Sequence, residues 1–367
     1  MKRLSIAIVL ILIATTAMAQ QENLYDAAIL MEPSTRTILY QKNPHEALPS
    51  ASMTKMVTLL VVMDAINNGL ITWDTPVTVS AHASKMGGSQ VYLKQGEVFP
   101  VRDLVAATMI HSANDAAEAL AERVAGTEQA FVVLMNEKAK QLGLKDSHFY
   151  SPHGLPERGG PDDVMSPYDL AITGIEVMKH PELRKFAAVQ QMPFRDGKFG
   201  MTNPNHLLSM YPGANGIKTG YHAKAGFCVT GSAQRGNMDL VVVVMGSKRK
   251  RDNFASAAEL LSLGFARYAM IEPVKKGQDL AKSVPIAKGK QANVPVVAGK
   301  TVRVLVKRGE KEVSVEVAGT SATAPIKKGQ QVGWAFVRLH GQPVAKIPAV
   351  AAAAVEPQAW WRRWSPF

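Results

Sequence analysis

Short apolar runs at both ends of one long stretch, with helical periodicity between them, narrow most strongly what this chain can fold into. Residues 27–30 and 37–40 are apolar and flank Glu32-Pro33-Ser34-Thr35-Arg36, the pattern of a β-hairpin. The runs 216–220, 227–233 and 240–246 read as successive strands of one sheet. Helical spacing fills the interval. It covers 53–68, where Met53, Met56, Val57, Leu60, Val61 and Ile66 recur with little polar interruption, then 101–110, 115–124, 128–142 and 167–178. Residues 148–167, rich in Pro, Gly and Asp, read as loop, and a helix over 253–268 follows the last strand. Strands at both ends with helices between them predict an α+β domain whose terminal strands meet in one antiparallel sheet.

Character changes near Glu272-Pro273. Alternating segments at 301–306, 312–317 and 332–339, divided by Gly, Lys and Pro turns, predict a small all-β domain over 273–347. The main domain is then expected over 24–270. Residues 348–367 read as an Ala-rich linker (349–355) and a tail, Trp360-Trp361-Arg362-Arg363-Trp364. At the other end Lys2 and Arg3 precede an apolar run over 4–14 and the small-residue site Ala17-Met18-Ala19. That is the order of an export signal over 1–19. The run is shorter than the roughly 20 residues a membrane span needs.

Composition matches a globular chain of 367 residues, 47% hydrophobic and 20% charged. Losing 1–19 removes two basic residues and no acid, so the formal net charge falls from +12 to +10. A basic surface suits an anionic polymer such as cell wall, or an anionic membrane; export argues against nucleic acid. Cys228 is the one cysteine, so no intramolecular disulfide forms, and its apolar setting reads as a small buried hydrophobe.

Three strings carry the chemistry: Ser52-Met53-Thr54-Lys55, Ser112-Ala113-Asn114 and Lys218-Thr219-Gly220. S-x-x-K alone is weak, and Ser247-Lys248-Arg249-Lys250 repeats it. Ser52 opens an apolar helix after Pro49, which puts Lys55 one turn along on the same face. Ser247 sits in a cationic run after a strand and reads as solvated loop. A serine needs a base to attack, and with no evident Ser-His-Asp set Lys55 is the candidate. It must be neutral to act, hence desolvated or beside another cation, and Lys218 is the cation expected in the same cleft.

Each string also has a plainer reading. Ser52 suits a helix N-cap, Ser112 and Asn114 suit capping between two helices, and Lys218 suits an ordinary strand start. In the functional reading Ser112 relays a proton toward the leaving group while Asn114 fixes Lys55 and the substrate amide. Lys218 and Thr219 grip a carboxylate, and Gly220 lets a substrate backbone approach. The backbone N–H groups of Tyr221 and Ser52 then form an oxyanion hole.

With those residues in place the chain resembles the low-molecular-weight penicillin-binding proteins that are D-alanyl-D-alanine carboxypeptidases. The likeness extends over 49–58 (PSASMTKMVT), 112–118 (SANDAAE), 215–221 (NGIKTGY) and 225–227 (AGF). It continues through His153-Gly154-Leu155, Asn203-Pro204-Asn205 and 260–265 (LLSLGF), covering about residues 24–345. The resemblance implies a transpeptidase/β-lactamase-like α+β domain followed by a small β domain. It implies removal of the terminal D-alanine from peptidoglycan stem peptides through an acyl-serine, and inhibition by β-lactams. It implies no metal or organic cofactor, and a place in the periplasm or on the outer face of the cytoplasmic membrane. Such enzymes use a late arginine on the substrate carboxylate, for which Arg249 and Arg251 are both candidates. Weak membrane-surface contact through the Trp/Arg tail stands against no anchor at all, because five residues carry little apolar area. A β-lactamase is the rival enzyme, but no E-x-x-L-N string is present to supply its deacylating glutamate. A catalytically silent wall-binding protein is the rival from another class.

Overall fold

The computed structural model describes residues 24–156, 159–310, 312–319 and 321–358. The expected export signal and the Trp/Arg tail lie outside these residues. The chain divides into two compact units between Phe265 and Ala266, earlier than the change of character at Glu272-Pro273. Among the described residues no helix is long and apolar enough to cross a membrane.

In the first unit, β1 (Ala27–Glu32) and β2 (Thr37–Lys42) make the expected hairpin. They are followed by α1 (Lys55–Asn67), α2 (Val101–Ala106), α3 (Asn114–Ala125), α4 (Glu128–Leu142) and α5 (Pro167–Lys179). Three long strands come next, β3 (Ala214–His222), β4 (Gly226–Arg235) and β5 (Met238–Ser247), then α6 (Asp252–Arg267). The sheet runs β2-β1-β5-β4-β3, antiparallel throughout, so the first strand lies beside the last.

Both faces of this sheet are covered, which is why β1 is buried at every position. Ile29, Met31, Val241, Val243 and Met245 belong to the core that also holds α1 and α5. On the opposite face α6 comes so near that a side chain at Gly264 would strike Leu240 and Leu30. Each fully buried Val, Leu or Ile here contributes roughly 1.5–3 kcal/mol of transfer free energy. Helix α1 is buried on all sides from Lys55 to Met63, the position of a central core helix. Cross-strand register places Ile29 opposite Val243, Val243 opposite Thr230, and Thr230 opposite Lys218. Lys218 therefore shares the face that looks toward α1.

The helix expected over 101–110 does not run straight through. After Ala106 it widens into a π turn, Ala107–His111, and ends with Ser112 in the left-handed region (φ 63°, ψ 29°). The Ala113 N–H donates to the Ala107 carbonyl, closing the wide turn. Such turns displace the following residue from the helical path, here Ser112.

The second unit is all β: β6 (Tyr268–Val274), β7 (Asp279–Ala287), β8 (Asn293–Ala298), β9 (Val302–Lys307), β10 (Val313–Gly319), β11 (Gln331–Leu339) and β12 (Gln342–Ala351). β6 pairs with β9, and the larger sheet runs β10-β11-β12-β8-β7 with the short strand Ala322–Thr323 beside β7. Val284, Val294, Val296, Ile326, Ala349 and Ala351 share one of its cores.

Two sequence expectations are corrected. The stretch 349–355 is not a linker: β12 runs through Ala351, Ala349 lies opposite Gly333 and Ala298, and Val355 is buried and bridges Ile326. Alanine composition looks linker-like, yet alternate small side chains fit against the valines of β8. Ser247 is not solvated loop either. It is the last residue of β5, opposite Phe227, and fully buried, while Lys250 is exposed. Strands β7, β8 and β12 went unread because each carries proline, which ordinarily argues against a central strand.

Candidate active site

Ser52 lies half-buried in a single 3-10 turn, Ala51–Thr54, that feeds directly into α1. Its side chain caps nothing; Ser50, at the N-cap position, instead bonds through Oγ to Thr54 Oγ1 (2.8 Å) and the Asp163 carbonyl (3.1 Å). Backbone from two sides clamps the turn. A Cβ at Gly220 of β3 would lie 2.7 Å from the Ser50 carbonyl oxygen, and one at Gly154 would lie 1.9 Å from that of Ala51. Ala51 itself takes a positive φ of 46°. Only glycine at 154 and 220 lets strand and loop come this near.

Lys55 is fully buried, and its Nζ touches three oxygens: Ser52 Oγ at 2.9 Å, Asn114 Oδ1 at 2.6 Å and the His153 carbonyl at 2.7 Å. The last two can only accept. A neutral amine has two N–H groups and one lone pair. With both N–H groups on Asn114 and His153, the lone pair is left for the Ser52 hydroxyl. Burial, and after it the Lys218 charge, hold this amine well below the usual lysine range, while Asp163 and Asp115 pull the other way.

Lys218 is buried beside it. Its Nζ donates to Ser112 Oγ at 2.7 Å and to the Thr219 carbonyl at 3.1 Å, and burial brings its pKa to about 7. The capping alternative for the middle string does not describe what is found. Ser112 sits past the π turn with its hydroxyl on Lys218. Asn114 opens α3 without capping it, and its amide spans Lys55 and the Gly87 carbonyl (2.7 Å). Ser52, Lys55, Ser112, Asn114 and Lys218, from three distant stretches, thus form one connected polar set inside an apolar core.

Thr219 is half-buried, Gly220 is buried against the nucleophile turn, and Tyr221 is exposed with its ring stacked on Phe227 at 4.3 Å between centroids. Arg249 and Arg251 lie in the exposed turn between β5 and α6, and among the described residues neither makes an ion pair.

Three contributors escaped sequence reading. His153 holds Lys55 through its carbonyl, so no side-chain type announces the role. Asp163 accepts from the Tyr150 and Ser151 N–H groups and from Ser151 Oγ, which in turn accepts from the Gly154 N–H. This fixes the loop that presents the His153 carbonyl. Asp115 accepts from the Val91 and Leu93 N–H groups and steadies the segment facing α3. The acidic residue after Asn114 was a visible signal; its partners were not.

Known proteins with this arrangement decide the family. The family model described as D-alanyl-D-alanine carboxypeptidase matches residues 14–249, and that for the penicillin-binding protein 5 C-terminal domain matches 268–357. The chain belongs to the D-alanyl-D-alanine carboxypeptidase family. It is a serine-type peptidase with a penicillin-binding-protein fold. It is 37% identical to D-alanyl-D-alanine carboxypeptidase DacF of Bacillus subtilis over 365 residues, which cover 95% of this chain and 92% of that one. Penicillin-binding protein 5 of Haemophilus influenzae superposes with a TM-score of 0.74 at 28% identity, covering 91% of this chain and 98% of the other. Penicillin-binding protein D2 of Listeria monocytogenes, in its ampicillin-bound form, superposes with a TM-score of 0.60 at 29% identity, covering 66% of this chain and 97% of that one.

Proposed function

We propose that this D-Ala-D-Ala carboxypeptidase removes the terminal D-alanine of peptidoglycan stem peptides through an acyl-enzyme on Ser52, with Lys55 as its base. The observation that carries this is the Lys55 amine, buried, held by two acceptor-only oxygens and facing Ser52 Oγ at 2.9 Å. Neutral Lys55 takes the hydroxyl proton as Ser52 Oγ bonds to the carbonyl carbon of the penultimate residue. The backbone N–H groups of Ser52 and Tyr221 hold the oxyanion. As the C–N bond breaks, the departing D-alanine nitrogen takes a proton from Ser112, which Lys218 replaces across their 2.7 Å hydrogen bond. In the second half water attacks the ester and its proton passes through Ser112 to Lys218. Ser52 Oγ leaves and recovers its proton from Lys55. Both lysines end as they began.

Thr219 and Lys218 would meet the substrate carboxylate, and Gly220, which has no side chain to strike the Ser50 carbonyl, lets β3 lie close against the nucleophile turn. β-Lactams, acylating the same serine, act as inhibitors. Asp163 is buried and accepts three hydrogen bonds, from the Tyr150 and Ser151 N–H groups and Ser151 Oγ, which counts against the β-lactamase reading, since that carboxylate is already engaged. The basic, then apolar, N-terminal segment supports export to the periplasm or the outer face of the cytoplasmic membrane, and the Trp/Arg tail supports weak contact with anionic lipid. Release of D-alanine from a peptide ending in D-Ala-D-Ala tests the activity. Wild type is expected to release it and Ser52→Ala to fall to background; equal release by both sinks the assignment.

A further inference from the structure

Behind the loop that presents the His153 carbonyl lies a buried acid that the peptidase chemistry does not use. Glu118 stands one turn beyond Asn114 on α3. Its side chain is fully buried, and among the described residues neither carboxylate oxygen has a hydrogen-bond partner. A carboxylate stripped of water and left without donors is costly. Burial, with Glu128 and Glu122 adding to it, pushes its pKa up to about 8. Two further groups converge on it. His82 Nε2 lies 3.7 Å from Glu118 Oε1 and 3.3 Å from Glu128 Oε2, and one donor atom from each residue falls within 4.8 Å of the others.

We propose that His82, Glu118 and Glu128 form a binding site for a first-row divalent transition ion, zinc above all. Metal–ligand bonds of about 2.0–2.2 Å place neighbouring donors of a tetrahedron roughly 3.3–3.5 Å apart, close to the His82 separations. One imidazole with two carboxylates favours zinc over magnesium or calcium, which prefer all-oxygen shells. Three protein ligands leave a fourth position, and half-exposed His82 gives the ion a way in from solvent.

His153 completes the surroundings without being a ligand. The Leu155 N–H donates to its Nδ1 at 3.1 Å, so the ring proton of the neutral imidazole is on Nε2. That N–H is turned toward Glu128 Oε1, 3.8 Å away. At 3.8 Å this is longer than a hydrogen bond, but it puts a donor next to a proposed ligating carboxylate, where outer-shell partners sit. The ion would thus sit directly behind the residue whose carbonyl holds Lys55.

The test is equilibrium dialysis of the purified, chelator-treated full chain against zinc, with metal analysis, beside Glu118→Gln and His82→Ala. One zinc per wild-type chain is expected, unaffected by millimolar magnesium. Each substitution is expected to weaken binding by more than the roughly 10–100-fold that loss of an outer-shell partner costs. Cobalt(II) provides a second readout: a tetrahedral visible band in wild type, lost in both variants. His82→Ala keeps the test decisive if Glu118→Gln fails to fold, because His82 is half-exposed. No retained zinc, or equal retention by the variants, overturns the proposal and leaves Glu118 a buried protonated acid.

Discussion

Lys55 Nζ stands 2.9 Å from Ser52 Oγ while its two other partners, Asn114 Oδ1 and the His153 carbonyl, can only accept hydrogen bonds. This assigns directions to the whole set. A neutral Lys55 points its lone pair at the serine, and a protonated one holds the serine oxygen as an acceptor. The groups around Lys55 therefore control the reaction by deciding how much of it is neutral.

Lys218→Gln is the first consequence. The Lys218 charge is the second cause, after burial, of the lowered Lys55 pKa. Like charge disfavours the protonated form, so removing it raises the Lys55 pKa. Acylation by a fluorescent penicillin at pH 7 is expected to slow by at least about 100-fold, within the range for lost acid–base assistance. The rising limb of its pH profile should move to higher pH. An unmoved limb would detach Lys218 from Lys55.

Asn114→Asp puts a carboxylate where a neutral oxygen now accepts from Lys55. An opposite charge at 2.6 Å favours the ammonium. Acylation should fall at pH 7 and recover in part toward pH 10, whereas Asn114→Ala should show no such recovery. Stopped-flow acylation rates across that pH range separate the two.

Gly220→Ala drives a methyl group to 2.7 Å from the Ser50 carbonyl oxygen. Overpacking of this kind costs about 1–3 kcal/mol, read as a lowered midpoint in urea. Because it pushes β3 away from the nucleophile turn, acylation should drop by about 100-fold, as an ångström of misplacement commonly does. A variant that loses stability but acylates normally would remove β3 from the site.

Much of this centre is legible in residue order, for reasons that can be named. Ser52 and Lys55 are three positions apart at a helix start, where that spacing puts them one turn apart on one face, and the second S-x-x-K fails because its serine is buried at a strand end and its lysine exposed. Ser112 and Asn114 were ambiguous because cap residues and relay residues are the same types. The π turn that carries Ser112 toward Lys218 leaves no compositional trace. The His153 carbonyl was invisible, since every residue has one. In the second unit alternating valines announced β9, β10 and β11, whereas the prolines of β7, β8 and β12 and the alanines of 349–351 concealed strands that tertiary packing stabilises.

Cys228 offers a check on the core away from the chemistry. Burial raises its thiol to a pKa of about 11, and Sγ lies 3.4 Å from the Ala225 carbonyl. The thiolate is the reactive form, so at pH 8 a disulfide reagent should leave the folded chain unmodified and label one thiol after denaturation. Fast labelling of the native protein would contradict the packing of β4 against β5.

The most direct test of Lys55 as a neutral base is the pH dependence of Ser52 acylation by a penicillin, measured as the rate of covalent adduct formation in the wild-type chain. The lowered pKa predicts a rate that rises through an ionisation well below the ordinary lysine range and is level before that range is reached. A rate still climbing through pH 10, where an ordinary lysine loses its proton, would contradict the account.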